Sequence, residues 1–410
     1  MSGFAGGARE GAGSCLWVKA SLYIHIPFCA SKCAYCDFFS VPTSVPTNAA
    51  STIIDEYLEA LYRDIESQLI FFKIDCVPSI YIGGGTPSLL GGKRIAALLS
   101  FLNFAKKTDG GTCELTVEAN SESLSEDFIQ GCVEGGVSRL SIGVQSLNDA
   151  SRRAVARRGS SRRIIENIKF LQNKPAALDI SFDILSGLPY QHKEILLHDI
   201  ETLLAFNPAH ISLYDLMIEG GGLSGAMLEK LPAGEVKEKM WIAGRDFLES
   251  AGYAQYEVSN FAREGKRARH NIRYWMMENW IGCGPSASGT IIDDERGTAI
   301  RYTTRHNIFY APPPLRQTIE HIDRETLLKE TLMMGYRYID GPDEALFKKR
   351  FSCTLESVIP KTIAAWRATN FYSETKNTLT PKGLLFLNQF LLDCFDELSR
   401  GECGTSSRCR

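Results

Sequence analysis

The feature that most constrains the fold is a regular alternation, from about residue 20 to 215, of short β-branched runs with longer segments of helical periodicity. Six such runs are each closed by turn residues or a polar cluster: Leu22–Ile26, Ser79–Ile82, Glu114–Ala119, Arg139–Val144, Ile180–Leu185 and His210–Leu216. Strands separated by helices pair in parallel through right-handed crossovers. The pattern predicts an α/β fold, a partial (β/α)6 barrel of the TIM type or, as the alternative, an open doubly wound sheet. In either fold, functional side chains are expected at the carboxyl ends of the strands.

Beyond about residue 220 the alternation stops. A helix is predicted over Glu235–Ser250, and the run from Ala311 to Pro314 indicates a connector because consecutive prolines exclude a helix. A small winged-helix-like α+β domain is predicted from helical patterns at Arg324–Tyr336, Glu344–Phe351 and Leu355–Thr369, a polar hairpin near Ser373–Thr380 and a last helix to Leu398. We therefore divide the chain into a disordered N-terminus (1–20), a barrel domain with its extension (21–310), a C-terminal domain (311–400) and a disordered tail (401–410).

Charge and hydropathy exclude several classes of partner. The chain carries 48 acidic and 45 basic residues, a net charge of −3, so it has no sequence-wide attraction to nucleic acid or to an anionic membrane. No segment reaches the roughly 18 uninterrupted apolar residues of a spanning helix, and the first twenty residues do not resemble a secretory signal. We expect a cytoplasmic protein with no nucleic-acid partner and at most peripheral membrane contact; the oligomeric state stays open.

Three of the twelve cysteines are clustered just after the first predicted strand. Cys29, Cys33 and Cys36 are spaced by four and three residues, whereas the other nine are scattered. Disulfides are disfavoured in a cytoplasmic chain. Cysteine thiolates hold iron–sulfur clusters, and a four-iron cluster held by only three of them leaves one iron free for an outside ligand. A zinc site is the alternative, although the sequence offers no obvious fourth ligand beyond the nearby His25.

The cysteine motif Cys-x3-Cys-x-aromatic-Cys, with Tyr35 as the aromatic residue, resembles the signature of the radical S-adenosylmethionine (SAM) superfamily. The whole segment Tyr23–Phe38 is similar to the coproporphyrinogen-oxidase-like branch of that superfamily. The resemblance implies a [4Fe-4S] cluster held by the three cysteines, with SAM at the free iron. An electron from the cluster would then release a 5′-deoxyadenosyl radical from SAM, so the cofactor supplies the difficult chemistry.

The ends of the other predicted strands carry residues that match the same branch. The second strand runs into Gly83-Gly84-Gly85-Thr86, where missing side chains allow the backbone to approach a ligand; a structural turn is the alternative. The resemblance implies that SAM is bound by Tyr23, Tyr35, Gly84, Gly85, Thr86, Glu118, Gln145, Arg157 and Asp183. Each of them taken singly is also compatible with a loop or ion-pair role, but their common position at strand ends favours one site.

Two features depart from the oxidase pattern. The oxidase carries a further Cys two residues after the third cysteine, and this position is Phe38 here. The segment 269–275 includes the His-Asn-x-x-Tyr-Trp motif of the heme chaperones within this branch, with the histidine at His270. The resemblance, and the suitability of imidazole and aromatic faces for heme, imply His270 as a heme ligand. A hydrogen-bonded core histidine is the alternative.

The residues support two functional hypotheses. The first is a heme chaperone that binds a [4Fe-4S] cluster, SAM and heme and delivers heme to an acceptor, expected to be a respiratory protein, with a separate electron donor. The second is an oxygen-independent coproporphyrinogen oxidase, whose anionic tetrapyrrole could be held by Arg157, Arg158, Arg162 and Arg163. Phe38 and His270 favour the first hypothesis, under which we expect no decarboxylation of coproporphyrinogen.

Overall fold

Six parallel strands in chain order form the centre of the computed structural model, which describes residues 18–43, 47–105, 111–172, 178–218, 223–305 and 317–401. They are β1 (Ser21–Ile26), β2 (Ser79–Gly84), β3 (Glu114–Asn120), β4 (Arg139–Gln145), β5 (Asp179–Ser186) and β6 (His210–Asp215). Helices connect them: α1 (Thr47–Phe71), α2 (Gly91–Phe101), α3 (Glu126–Glu134), α4 (Asp149–Ala154), α5 (Ser161–Gln172) and α6 (Lys193–Leu204). All six strands lie where the sequence predicts them.

Side chains alternate between the two faces of each strand, and this alternation decides which of them face the barrel interior. In β1, Leu22, Ile24 and Ile26 are fully buried in one apolar cluster with Leu61 and Ile65 of α1. Burying side chains of this size contributes about 1.5–3 kcal/mol each. Successive residues of a strand point to opposite faces, so Tyr23 and His25 face away from this helical layer. The helices therefore hold the strands in place while alternate residues face the barrel interior.

The sheet continues beyond both edges of this parallel unit. On one side β7 (Asn260–Ala262) pairs antiparallel with β6. On the other, β8 (Trp280–Cys283) pairs parallel with β1, and β9 (Ser288–Asp293), β10 (Thr298–Thr304) and β11 (Gln317–Ile322) extend it antiparallel. Within the described residues the two edges do not pair, so the barrel is open. The predicted α/β partial barrel is confirmed, whereas the extension by β8 to β11 was not foreseen.

The remaining helices complete the chain. These are α7 (Gly234–Ser250), α8 (Arg269–Trp275), α9 (Arg324–Gly335), α10 (Glu344–Phe351), α11 (Leu355–Val358), α12 (Pro360–Ala368) and α13 (Leu387–Ser399), together with two single helical turns at Gly225–Leu228 and Pro381–Leu384. The single helix predicted over Leu355–Thr369 is two helices because Pro360 begins the second. None of the helices within the described ranges combines the length and apolar content needed to cross a membrane.

The C-terminal helices pack on the extended sheet. Ile292 of β9, Ala299 of β10 and Ile322 of β11 share a buried apolar cluster with these helices. A bridge between Tyr372 and Leu379 lies at the expected hairpin. Residues up to 17, the glycine loop at 220–222, the proline connector at 311–314 and the tail from 402 lie outside the described residues, so the predictions made for them stay predictions.

Candidate functional site: a cysteine-lined pocket beside an aromatic groove

The three clustered cysteines lie on the loop that follows β1. A short strand, Phe28–Cys29, pairs with Val41–Pro42 and closes this loop at its base. At the far side, the backbone N–H of Ala34 donates a hydrogen bond of 3.1 Å to the carbonyl oxygen of Val155. The cysteine loop is therefore fastened both to its own return strand and to the segment after α4.

The cysteines face a cavity of about 380 Å³ at the carboxyl ends of the strands, which we call the cluster pocket. Its volume falls within the range of small-molecule and cofactor sites. It brings together eleven residues predicted from the sequence: Cys29, Cys33, Cys36, Tyr35, Gly84, Gly85, Thr86, Glu118, Gln145, Arg157 and Asp183. Tyr23 and His270, also predicted, lie elsewhere.

The glycines after β2 pack directly against the start of the cysteine loop. A Cβ atom on Gly85 would lie 2.7 Å from the carbonyl oxygens of Ile26 and Phe28. Gly84 has a φ of 103°, and a Cβ atom there would lie 2.3 Å from the His25 ring. Side chains at either position would push the two loops apart. The glycine motif is thus required for the shape of the pocket, whether or not its backbone also contacts a ligand.

Two carboxylates line the floor of the cluster pocket. Glu118 accepts hydrogen bonds from the Tyr81 hydroxyl at 2.6 Å and from the Gly84 N–H at 3.1 Å. Burial raises the pKa of Glu118 to about 7, more than the Tyr81 hydrogen bond lowers it, and nearby Asp183 raises it further. Burial also raises the pKa of Asp183, which accepts a hydrogen bond from Ser141 Oγ at 3.1 Å. Both carboxylates are placed to accept hydrogen bonds from hydroxyl groups of a ligand.

Arg157 brings a buried positive charge to the cysteines. Its Nη2 donates to Asn120 Oδ1 at 2.7 Å and to the Gly143 carbonyl oxygen at 2.6 Å, and its Nη1 lies 3.9 Å from Cys33 Sγ. The arginines suggested as a joint anion site are separated from it. Arg158, Arg162 and Arg163 are exposed, and Arg162 pairs with Glu166 at 3.0 Å along α5.

The fully buried Arg152 supports this arrangement and was missed by the sequence reasoning. Its guanidinium forms an ion pair with Glu122 and donates to the carbonyl oxygens of Val144 at 2.6 Å and Ser146 at 3.1 Å. Glu122 Oε1 also lies 3.4 Å from Arg157 Nε. Arg152 and Glu122 therefore join the end of β4 to the residue that contacts Cys33. An arginine in a polar segment after a strand carries no local signal that distinguishes it from a solvated one.

Other pocket residues had a signal that the sequence reasoning did not use. Tyr81, Asn120, Ser141 and Tyr214 line the cluster pocket from four different strands. Tyr81 is two residues from Gly83 and Asn120 two residues from Glu118, so the period of a strand places them on the same face. Gln145 lines the pocket from the irregular end of β4, where its φ is 68° and the strand register shifts.

His270 lies at the opposite end of the strands. Its Nδ1 is hydrogen-bonded to Oγ of Ser79 at 2.9 Å and its Nε2 to the Tyr274 hydroxyl at 2.9 Å. Ser79 begins β2, and the His270 ring centroid lies 5.2 Å from that of Tyr81, so His270 occupies the layer beneath the cluster pocket. The side chain is 1% exposed, and burial lowers its pKa to about 3. Ligation of heme iron by His270 stays a prediction, and it would require one of these hydrogen bonds to break.

Tyr23 lies on a second cavity of about 670 Å³, which we call the aromatic groove. Its ring-bearing residues are Tyr23, His25, Phe38, Phe39, Tyr274 and Trp280. The groove runs along the seam between β1 and β8, and Lys32, Phe38 and Ser40 line both it and the cluster pocket. The two cavities are therefore neighbours, separated by the cysteine loop.

The donor set of the pocket fits a [4Fe-4S] cluster. Three of the nine described cysteines, the clustered ones, face one cavity beside the Arg157 guanidinium. Among the described residues, no three His, Cys, Asp or Glu side chains converge to hold a single metal ion. A four-iron cluster has no such requirement because each thiolate binds a different iron. Cys29, Cys33 and Cys36 would hold the cluster, and bound SAM would supply the radical chemistry.

Comparison with known proteins agrees with this donor set. The model of the radical SAM superfamily matches residues 23–203. The heme chaperone HemW of Lactococcus lactis is 32% identical to this chain, over 82% of this chain and 86% of the relative. The chain belongs to the HemW family of radical SAM proteins. The heme chaperone HemW of Escherichia coli is 31% identical over 90% and 97% of the two chains. Membership implies a [4Fe-4S] cluster and SAM as cofactors.

Two further comparisons involve a solved structure with the same fold and a mitochondrial relative. The structure of coproporphyrinogen III oxidase (HemN) from Escherichia coli superimposes with a TM-score of 0.75 at 20% identity, covering 93% of this chain and 90% of the oxidase. At that identity the likeness shows a shared fold. The mitochondrial radical SAM domain-containing protein 1 of Bos taurus is 32% identical over 78% of this chain and 68% of that protein.

Proposed function

We propose that this protein is a heme chaperone that binds heme beside its cluster and SAM and delivers it to an acceptor protein. The observation that carries the proposal is the 31–32% identity to two proteins named heme chaperone HemW, over 82–90% of this chain. Phe38, which occupies the place of the oxidase's additional cysteine, supports the same assignment. The acceptor is expected to be a respiratory protein, the electron donor is a separate protein, and the compartment is expected to be the cytoplasm.

Coproporphyrinogen oxidation is the competing function, favoured by the likeness to the oxidase fold. The deciding experiment uses anaerobically reconstituted protein with SAM and a reductant, divided into two samples. One sample receives coproporphyrinogen III and is assayed for decarboxylated product; the other is titrated with hemin. We expect saturable hemin binding and no decarboxylation. Formation of the decarboxylated porphyrinogen would reverse the assignment.

Delivery of heme to an acceptor protein is a separate step and needs a separate experiment. Protein loaded with heme is mixed with respiratory membranes from heme-depleted cells, and the gain of a cytochrome spectrum in the membrane fraction is recorded. Protein without heme, and free hemin at the same concentration, are the controls. We expect faster and more complete loading from the protein than from free hemin. Equal loading from both would argue for binding without a chaperone role.

A further inference from the structure

We propose that heme is held by its faces in the aromatic groove, through ring contacts, and not by iron ligation from either nearby histidine. This inference rests on the proposed function and assigns the place of the macrocycle within the fold. The aromatic groove has a volume of about 670 Å³, and it shares Lys32, Phe38 and Ser40 with the cluster pocket. A ligand in the groove therefore lies next to the cluster pocket, in a cavity of its own.

The walls of the groove are suited to a flat, apolar ligand. Tyr274 and Trp280 are in edge-to-face contact, with ring centroids 5.2 Å apart at an angle of 88°. Phe38 stands where the two cavities meet, and 61% of its surface is exposed. Because it adjoins the other rings of the groove, Phe38 adds to one apolar patch that a ligand can cover. A macrocycle stacked here would remove the Phe38 ring from water.

Neither imidazole near the groove has a ring nitrogen available for iron. Nε2 of His25 donates to the Phe39 carbonyl oxygen at 2.8 Å, and its Nδ1 accepts from the Tyr23 hydroxyl at 3.0 Å. His270 is occupied in the same way by Ser79 and Tyr274. Iron ligation requires an unprotonated nitrogen with a free lone pair. In each ring one nitrogen carries the proton and the lone pair of the other already accepts a hydrogen bond, which suits a carrier, because no iron bond has to break when heme is passed on.

Charge contributes little to the groove. Lys32 and Asp37 both line it, and their opposite charges offset each other. Ser40, Ser286 and Ser288 add hydroxyl groups that can hydrogen-bond to the propionates of the macrocycle. Binding should then depend on ring area more than on ionic contacts, so we expect less than a threefold change in affinity between low and physiological salt.

The test compares hemin with metal-free protoporphyrin IX on the reconstituted full-length protein, with bound and free ligand separated by ultrafiltration. Without iron ligation, the two ligands should bind with dissociation constants within about threefold of each other. The ratio should be unchanged in a His270→Ala variant, even if that variant binds both ligands less well. Hemin binding at least 30-fold tighter than protoporphyrin binding, with the preference lost in His270→Ala, would overturn the inference.

Point variants in the aromatic groove test whether the ligand binds there. Trp280→Leu removes a planar face while keeping an apolar side chain, and it should weaken both ligands by roughly tenfold. Phe38→Ser provides a second variant whose exposed position spares the core. Phe170→Leu, a 51% exposed ring on α5, is the matched control and should have no effect. Tight binding that neither groove variant weakens would refute the groove while leaving the chaperone proposal standing. Failure to bind either ligand would refute the chaperone proposal itself.

Discussion

The carboxyl and amino ends of the parallel strands are both polar, but only one of them is open. At the carboxyl ends, Cys33, Glu118 and Arg157 surround the cluster pocket. At the amino ends, Ser79 is hydrogen-bonded to His270, and Glu114 accepts from the backbone N–H of His270 at 2.8 Å, all within the protein interior. Polar residues at one end face a ligand space, and at the other they satisfy each other. A motif therefore indicates a binding role only where the fold leaves space beside it.

The largest expected effect is at the open end. Cys33→Ser should abolish the cluster, because the remaining two thiolates cannot hold it. Iron and sulfide should fall from about four each per chain to near zero, and the brown absorption should disappear, while the far-UV circular dichroism is kept. Cys113→Ser, a half-buried thiol at the start of β3, should retain the cluster. Zinc without sulfide in the wild-type protein would contradict the assignment of the site.

The next effect tests whether the open end depends on its buried support. Arg152→Met removes a fully buried guanidinium, which is one of two arginine partners of Glu122 and donates to several carbonyl oxygens. Breaking such a pair costs about 3–5 kcal/mol of unfolding free energy, measurable by chemical denaturation. Arg153→Met, at the exposed neighbouring position, should change the unfolding free energy by less than about 0.5 kcal/mol. Equal effects of the two variants would show that the Arg152 contacts do not stabilise the fold.

The third prediction probes the closed end. His270→Ala should cost roughly 2 kcal/mol by leaving buried partners unsatisfied, whereas the exposed His192→Ala should cost little. Burial lowers the pKa of His270 to about 3. Between about pH 3 and 6.5 the imidazole therefore binds a proton in the unfolded chain but not in the native state. Its contribution to stability is therefore full above pH 6.5 and lost as the pH falls toward 3. A wild-type melting temperature no more acid-sensitive than that of His270→Ala would contradict this.

The smallest expected effect concerns Glu118 in the cluster pocket. Its pKa shift changes stability with pH in the opposite direction to that of His270. The pKa of Glu118 is raised to about 7, so between about pH 4.5 and 7 the native state binds a proton that the unfolded chain has lost. Native stability then falls as the pH rises through this window. The melting temperature of Glu118→Gln should be roughly 2–4 °C above that of wild type at pH 8 and equal to it at pH 4.5. The exposed Glu201→Gln should show no such pH-dependent difference.

Much of the cluster pocket could be predicted because its residues share one geometric rule. Ten of its eleven predicted residues lie near the ends of strands or on the loop after β1, and parallel strands bring those ends together; Arg157, which follows α4, is the exception. Tyr23 was predicted with them, but it lies beside β8 at the edge of the parallel strands and lines the aromatic groove instead. His270 was placed by a motif without knowledge of its surroundings, and packing buries both of its nitrogens.

The extended sheet shows the same limit. Trp280 to Cys283 pairs with β1 across more than 250 residues of sequence, and no local pattern specifies such a partner. Arg152 likewise resembles Arg153 in sequence, yet one is buried and the other exposed. Both outcomes depend on contacts between segments that are distant along the chain.

The amino-acid sequence by itself determined the six strands, their parallel order and the three thiols after the first, because periodicity and spacing are local properties. The tertiary structure alone decided which polar side chains meet open space and which meet one another. That distinction depends on how closely distant segments pack, and close packing turns His270 into an interior residue while leaving Phe38 exposed between two cavities.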